Sequence, residues 1–217
     1  MRARFSRFLV WSHYVLLITG ISVLGYCAIV LSTASFYQAQ AREQLLRSNV
    51  RLATLSSPSG GEPSPTSAPL RVGRGFAVLG RVEVPQIHLS AMIAEGTNSR
   101  ALRVAIGHVP GTALPWQSGN VALVGHRDTF FRRLGELKVG DVIHLTVPGD
   151  EYTYRVTFTD IINPNETWVL QAATGDTLTL VTCYPFHFIG AAPKRFVVRA
   201  RRLEPAPVTH SSVASND

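Results

Sequence analysis

Thr177-Leu178-Thr179-Leu180-Val181-Thr182-Cys183-Tyr184-Pro185 reads as a β-strand that ends on a cysteine. Thr, Leu and Val suit a pleated, half-buried surface. Pro185 cannot continue a central strand, because it has no N–H to give to the ladder. A strand end is a rigid mount for a reactive atom, and the loop after it leaves room for a substrate. Of the chain's two cysteines, the other is Cys27, in an apolar run near the N-terminus, so Cys183 has no disulfide partner in the remainder. Taken alone, the strand leaves two readings equally open. Cys183 is either a buried structural thiol, as free cysteines commonly are, or a nucleophile.

Outward from this strand, the pattern is one of short strands and turns. Val78-Leu79-Gly80-Arg81-Val82-Glu83-Val84-Pro85 alternates, with Val78, Val82 and Val84 on one face and Leu79, Arg81 and Glu83 on the other. Residues 87–93 form a second strand, 99–106 carry a short helical pattern, and 107–115 read as loop. Val121-Ala122-Leu123-Val124-Gly125 is a short apolar run typical of a buried strand, and it leads into His126-Arg127-Asp128. Residues 130–137 read as a helical turn. Residues 142–147 and 151–162 make a hairpin in which Tyr152, Tyr154, Val156 and Phe158 share a face. A loop over 163–176 has local structure around 168–172. The last strand, 195–203, alternates Phe196, Val198 and Ala200 with Arg195, Val197, Arg199 and Arg201. Many short strands with Gly and Pro turns and brief helical pieces predict an all-β barrel or sandwich.

The chain of 217 residues carries one such domain plus accessories. Residues 1–8 are a basic cytoplasmic tail. Residues 9–36 hold no Lys, Arg, Asp or Glu, and exceed the roughly 20 residues that cross a bilayer. A cleaved signal peptide has an apolar core of only about 7–15 residues, so the length favours a retained transmembrane anchor. Arg2, Arg4 and Arg7 keep the N-terminus inside and the remainder outside. Residues 37–75 are a polar stalk followed by a Ser/Pro/Gly-rich linker, a composition that cannot bury a core. The folded β domain is then 76–203, and 204–217 are a disordered tail.

The net charge of +7 raises the question of nucleic acid. The basic residues are scattered, however, with no basic helix and no zinc-finger spacing, and an anionic membrane or wall surface accounts for them as well. The acidic residues form no calcium loop, and a lone ectodomain cysteine with scattered histidines lacks metal-ligand spacing. No metal, no cofactor and no nucleic-acid partner are expected.

His126 and Cys183 each end a buried strand. If those strands are parallel neighbours, both side chains reach one edge of the sheet. A thiol acts as its thiolate and is helped by a nearby imidazole or cation; histidine exchanges protons near neutral pH. An attacked carbonyl also needs a donor for its oxyanion, and Arg195 offers a permanent charge and several N–H groups. The plainer readings are a satisfied core histidine at 126 and a solvated charge at 195.

Thr179-Leu180-Val181-Thr182-Cys183 resembles the Thr-Leu-x-Thr-Cys signature of sortases, the membrane-anchored cysteine transpeptidases of bacterial surfaces. Gly125-His126-Arg127 resembles their histidine motif and Arg195-Phe196-Val197-Val198 their arginine motif. The segments 120–131, Gly107-His108-Val109-Pro110-Gly111-Thr112, 184–186 and 192–195 are similar to the class D subgroup, whereas 116–118 depart from the Gly expected there after Ala-Leu-Pro. The resemblance implies a closed eight-stranded β-barrel with Cys183 as nucleophile, His126 as general acid/base and Arg195 as oxyanion or substrate donor. It implies cleavage of a Leu-Pro-x-Thr-type sorting motif after Thr, through a Cys183 thioester, by a thiol protease of the hydrolase class. The implied partners are a surface protein carrying the sorting signal and an amine acceptor: a wall peptide, a lipid-linked precursor or a protein lysine. The implied location is the bacterial cytoplasmic membrane, spanned once, with the catalytic domain outside. For an apolar motif the expected groove walls are Ala91, Ile93, Val181 and Ile189, with Thr182 orienting Arg195 or substrate and His108 lining the pocket. Asp128 reads as a turn residue rather than a third catalytic member. A cysteine hydrolase using water as acceptor and a non-catalytic peptide-binding barrel remain alternatives.

Overall fold

The computed structural model describes residues 11–29, 32, 36, 38–40, 42–43, 70–72, 76–171 and 175–203. The basic tail over 1–8, most of the linker and the tail over 204–217 lie outside the described residues. Helix α1, Trp11–Ile29, has 19 residues and is long and apolar enough to cross a bilayer, by length and composition. Residues 38–40 and 42–43 are also helical. The Gln38 amide bridges two backbone groups of the folded domain, accepting from Met92 N–H at 2.8 Å and donating to the Val104 carbonyl. The helical stalk residues therefore touch the domain directly.

The domain is built from strands β1 (Leu70–Val72), β2 (Phe76–Val84), β3 (Leu89–Glu95), β4 (Ile106–His108), β5 (Asn120–Val124), β6 (Val142–Val147), β7 (Asp150–Ile162), β8 (Thr177–Tyr184) and β9 (Lys194–Arg202), with one short helix, α2 (Ser99–Val104). The order is β1-β2-β3-β4-β5-β8-β9-β7-β6, and β6 pairs back onto β2 through Val82↔Leu145. Strands β2 to β9 thus form a closed eight-stranded barrel, with β1 added outside it. Only β3–β4 and β5–β8 are parallel among these pairings. The inner core gathers Leu79, Val82, Leu123, Phe131, Leu145, Leu178, Leu180 and Val198 among others.

Several local expectations change. Strand β1 falls in a stretch read as linker; it pairs with the first residues of β2, as in Leu70↔Val78. Strand β4 falls where the sequence predicts the end of a helix and a loop. It is too short to alternate, it is buried throughout, and Gly107 is required in it. A Cβ there would sit 2.5 Å from the Gly96 carbonyl oxygen and 2.7 Å from Leu102 Cδ2. In β2 the register shifts between Val78 and Gly80, so Leu79 is buried with Val78 instead of facing out with Arg81. In β7 a second shift, between Val156 and Phe158, ends the inward series at Val156 and leaves Phe158 exposed beside Trp168. Between β2 and β3, Pro85–Ile87 forms a 3-10 turn capped by His88 at φ 53, so β3 begins at Leu89 rather than at 87.

Burial pushes the Tyr154 phenol up to about 12, from an ordinary value near 10. Its folded pKa therefore lies above its unfolded one. This contribution is fully present below pH about 10 and is lost as pH rises toward about 12, by about 2–3 kcal/mol in all. Denaturant titrations across that alkaline window should show the decline, and Tyr154→Phe should flatten it.

Candidate active site

The parallel pair β5–β8 sets the site. Its register runs Asn120↔Thr177 to Val124↔Val181. Beyond it, the Gly125 N–H donates to the Val181 carbonyl at 3.3 Å, and the Thr182 hydroxyl donates to the Gly125 carbonyl at 2.8 Å. Continued two residues past Val124↔Val181, this register sets His126 level with Cys183 at the same barrel edge. On the other side of β8 the antiparallel register pairs Cys183 directly with Arg195, and β7 brings Ile162 opposite Arg195. His126, Cys183 and Arg195 thus lie in one row across three adjacent segments.

Strand alternation decides which way Cys183 faces. Leu178 and Leu180 belong to the inner core, and Thr182 continues that series. Val181 packs instead in an outer cluster with Ile162, Val169 and Val197. Cys183 shares the outer face with Val181, and Arg195 shares it with Val197. Cys183 is half-buried and its thiol is free. His126 is exposed, and its carbonyl accepts from the N–H groups of Thr129 and Phe131. The chain therefore turns sharply after it and holds the ring at the rim. Gly125 is needed beneath, since a Cβ there would meet Phe131 Cδ2 at 2.8 Å. The Asp128 carbonyl accepts from Arg132 within that turn. Arg195 Nη1 donates to the carbonyls of Ala192 at 3.2 Å and Lys194 at 2.9 Å. Its Nε and Nη2 groups have no partner among the described residues, so they can serve a substrate oxygen.

The outer face next to Cys183 is partly roofed by the β7–β8 loop. Asn120, buried at the start of β5, donates to the carbonyls of Val169 at 2.8 Å and Gln171 at 3.1 Å and accepts from the Thr179 hydroxyl at 2.7 Å. Arg199 donates to the same Val169 carbonyl and stacks on Trp168. Hydrogen bonds from the backbone and side chain of Asn163 hold the Glu166 carboxyl below the usual carboxylate range and close the first turn of this loop. On the inner side, a cavity of about 520 Å³ lies between Arg132, Glu136, Tyr184, Phe186 and Phe196.

The secondary candidates fare differently. Val181 lies beside Cys183 on the outer face. Ala91 and Ile93 do not wall a groove; they are buried in the inner core, turned there by the alternation of β3. Ile189 is 97% exposed on the loop after Cys183. The Thr182 hydroxyl is buried and committed to Gly125 rather than to Arg195. His108 pairs with Leu123, back along β5 from its end. Its Nδ1 meets Glu95 at 2.7 Å and its Nε2 meets the Ala113 carbonyl at 2.9 Å and the Thr112 hydroxyl at 3.1 Å. It is 1% exposed and knots the loop before β5. Sequence reasoning missed Asn120, Ile162, Val169 and Arg127. Asn120 stands where a polar residue opens an apolar run, and Arg127 follows His126 in the histidine motif; these were the visible signals.

Thr182→Val keeps the shape and removes the donor to Gly125. It should cost about 1–2 kcal/mol in denaturant unfolding, with most of it restored by Thr182→Ser.

A family model described as the sortase domain matches residues 82–203. Sortase D of Bacillus subtilis (strain 168) is 38% identical over 125 residues, which are 57% of this chain and 63% of that protein. The match therefore covers less than two thirds of that relative. Among solved structures, Sortase A from Corynebacterium diphtheriae, as a lid mutant, superposes with a TM-score of 0.58 at 27% identity, covering 76% of this chain and 95% of that one. A Sortase D5 transpeptidase from Clostridium perfringens shares the fold with a TM-score of 0.59 at 24% identity, over 80% of this chain and 99% of that one. The family match spans more than half of the chain and includes every strand that positions the Cys183 edge, so the chain belongs to the sortase family.

Proposed function

We propose that this chain is a membrane-anchored cysteine transpeptidase that cleaves a Leu-Pro-x-Thr-type sorting motif after Thr and passes the acyl group to an amine at the cell surface. The observation that carries this reading is the row in which Cys183 stands between His126 and Arg195. The Cys183 thiolate attacks the Thr carbonyl carbon, and the electron pair moves to the oxygen, toward the free donors of Arg195. The C–N bond then breaks, the leaving amine takes a proton from His126, and a thioester remains. An incoming amine gives its proton to His126 as it attacks, and the thiolate leaves, so one imidazole serves both halves.

Val181, half-buried on the face of Cys183, offers an apolar contact for an uncharged motif, backed by the buried Ile162, Val169 and Val197. Helix α1 holds the enzyme at the bacterial cytoplasmic membrane, with Arg2, Arg4 and Arg7 inside. The donor is a surface protein bearing the sorting signal. The acceptor is a wall peptide, a lipid-linked precursor or a protein lysine.

A second reading, hydrolysis, is favoured by the exposure of His126, which leaves the edge open to water. The two separate in one assay, in which a sorting peptide is turned over with and without an added amine and the products are weighed. Transpeptidation predicts an amine-linked product that displaces the free acid as amine rises. A free acid unaffected by amine would establish the hydrolase instead.

A further inference from the structure

The segment between β8 and β9 carries Phe188 and Ile189, 44% and 97% exposed, only a few residues beyond the nucleophile. Within it, the one backbone hydrogen bond among the described residues runs from the Phe188 N–H to the Pro185 carbonyl, at a long 3.4 Å. Its order must come from elsewhere, because exposed backbone with few bonds of its own opens readily.

Arg127, the residue after His126, reaches across to it. Nη1 donates to the Pro185 carbonyl at 3.1 Å, and Nη2 donates to the carbonyls of Phe188 at 2.6 Å and Gly190 at 3.0 Å. The guanidinium also lies 5.9 Å from the Phe188 ring centroid. A planar fork is suited to several carbonyls at fixed angles, whereas an ammonium is a point charge. At the far end of the segment, Arg195 Nη1 holds Ala192 and Lys194.

We propose that Arg127 is a positioning residue for the transpeptidation reaction. It fastens the segment after Cys183 to the turn that bears His126, so that the segment stands preformed for substrate, with Phe188 lining the cavity of about 520 Å³ beside Tyr184, Phe186 and Phe196. It touches neither the sulfur nor the substrate carbonyl. Because it holds the first half of the segment, Arg195 spends only one nitrogen on the second half. The inference rests on the function proposed above.

The test uses the full chain and its Arg127→Lys and Arg127→Gln variants, with a Leu-Pro-x-Thr-x peptide that acylates the unaltered chain. Binding then includes ordering the segment, so KM should rise by about tenfold or more in both variants, with kcat within about threefold. The rate of Cys183 alkylation by iodoacetamide should not change. Chymotryptic cleavage after Phe188 should speed up by about tenfold in the native-state protein. Failure of the unaltered chain to acylate would sink the enzyme reading itself. Acylation of the unaltered chain with unchanged KM in both variants, full rescue by lysine, or a loss confined to kcat would overturn the role of Arg127 alone. The cleavage rate is an independent readout if a variant folds poorly: no acceleration at Phe188 contradicts the fastening.

Discussion

Replacing Cys183 with alanine is expected to lower turnover of a sorting peptide by at least about a thousandfold, with little change in melting temperature. The first half follows from chemistry. The thioester has no other candidate atom, since Cys27 lies in the membrane-length helix α1. The second half follows from burial, since Cys183 is only half-buried at a strand end and removing its sulfur opens no closed cavity. Cys183→Ser should stay inactive, because a hydroxyl is a far weaker nucleophile without a stronger base. His126→Ala should cost about 10²–10⁴ in kcat. Combined with Cys183→Ala it should cost almost nothing more, because residues that act as one unit do not add. An additive double variant would mean that the imidazole works elsewhere.

Arg195→Ala should lower kcat by about 10²–10³, the range for losing an oxyanion donor, and Arg195→Lys should recover only part of it. The reason is geometric. Nη1 is already engaged with Ala192 and Lys194, and Nε and Nη2 remain on the same planar group at fixed angles. Lysine places one charge on a flexible stem and cannot hold the loop and serve an oxygen together. The expected loss rests on the direct pairing of Arg195 with Cys183 across β8 and β9. A lysine variant with full kcat, or an alanine variant altered in KM alone, would remove Arg195 from the oxyanion role. The two arginine positions thereby separate, because the Arg127 variants are expected to move KM.

The β8 stretch was legible because its apolar run, its terminal cysteine and the following proline all point the same way. The row of His126, Cys183 and Arg195 was legible only as three strand ends, since parallel pairing of β5 with β8 is a long-range fact. What escaped the sequence has local physical causes. Two register shifts, at Val78/Gly80 and Val156/Phe158, break the two-residue period on which face assignment depends. Strand β4 has too few residues to show any period. Ala91 and Ile93 look like groove walls by type, yet alternation turns them into the core. Arg127 was legible only as the residue after His126 in the histidine motif, and its meaning lies in carbonyls about sixty positions away in the chain.

The most direct test incubates the full chain with a Leu-Pro-x-Thr-x peptide library, reads its intact mass, and maps any adduct by peptide digestion. A thioester enzyme built on this row should show a single acyl fragment on the peptide containing Cys183, absent in Cys183→Ala and discharged when an amine is added. An adduct on any other residue, or none across the library with the Cys183 thiol shown to be free, would contradict it.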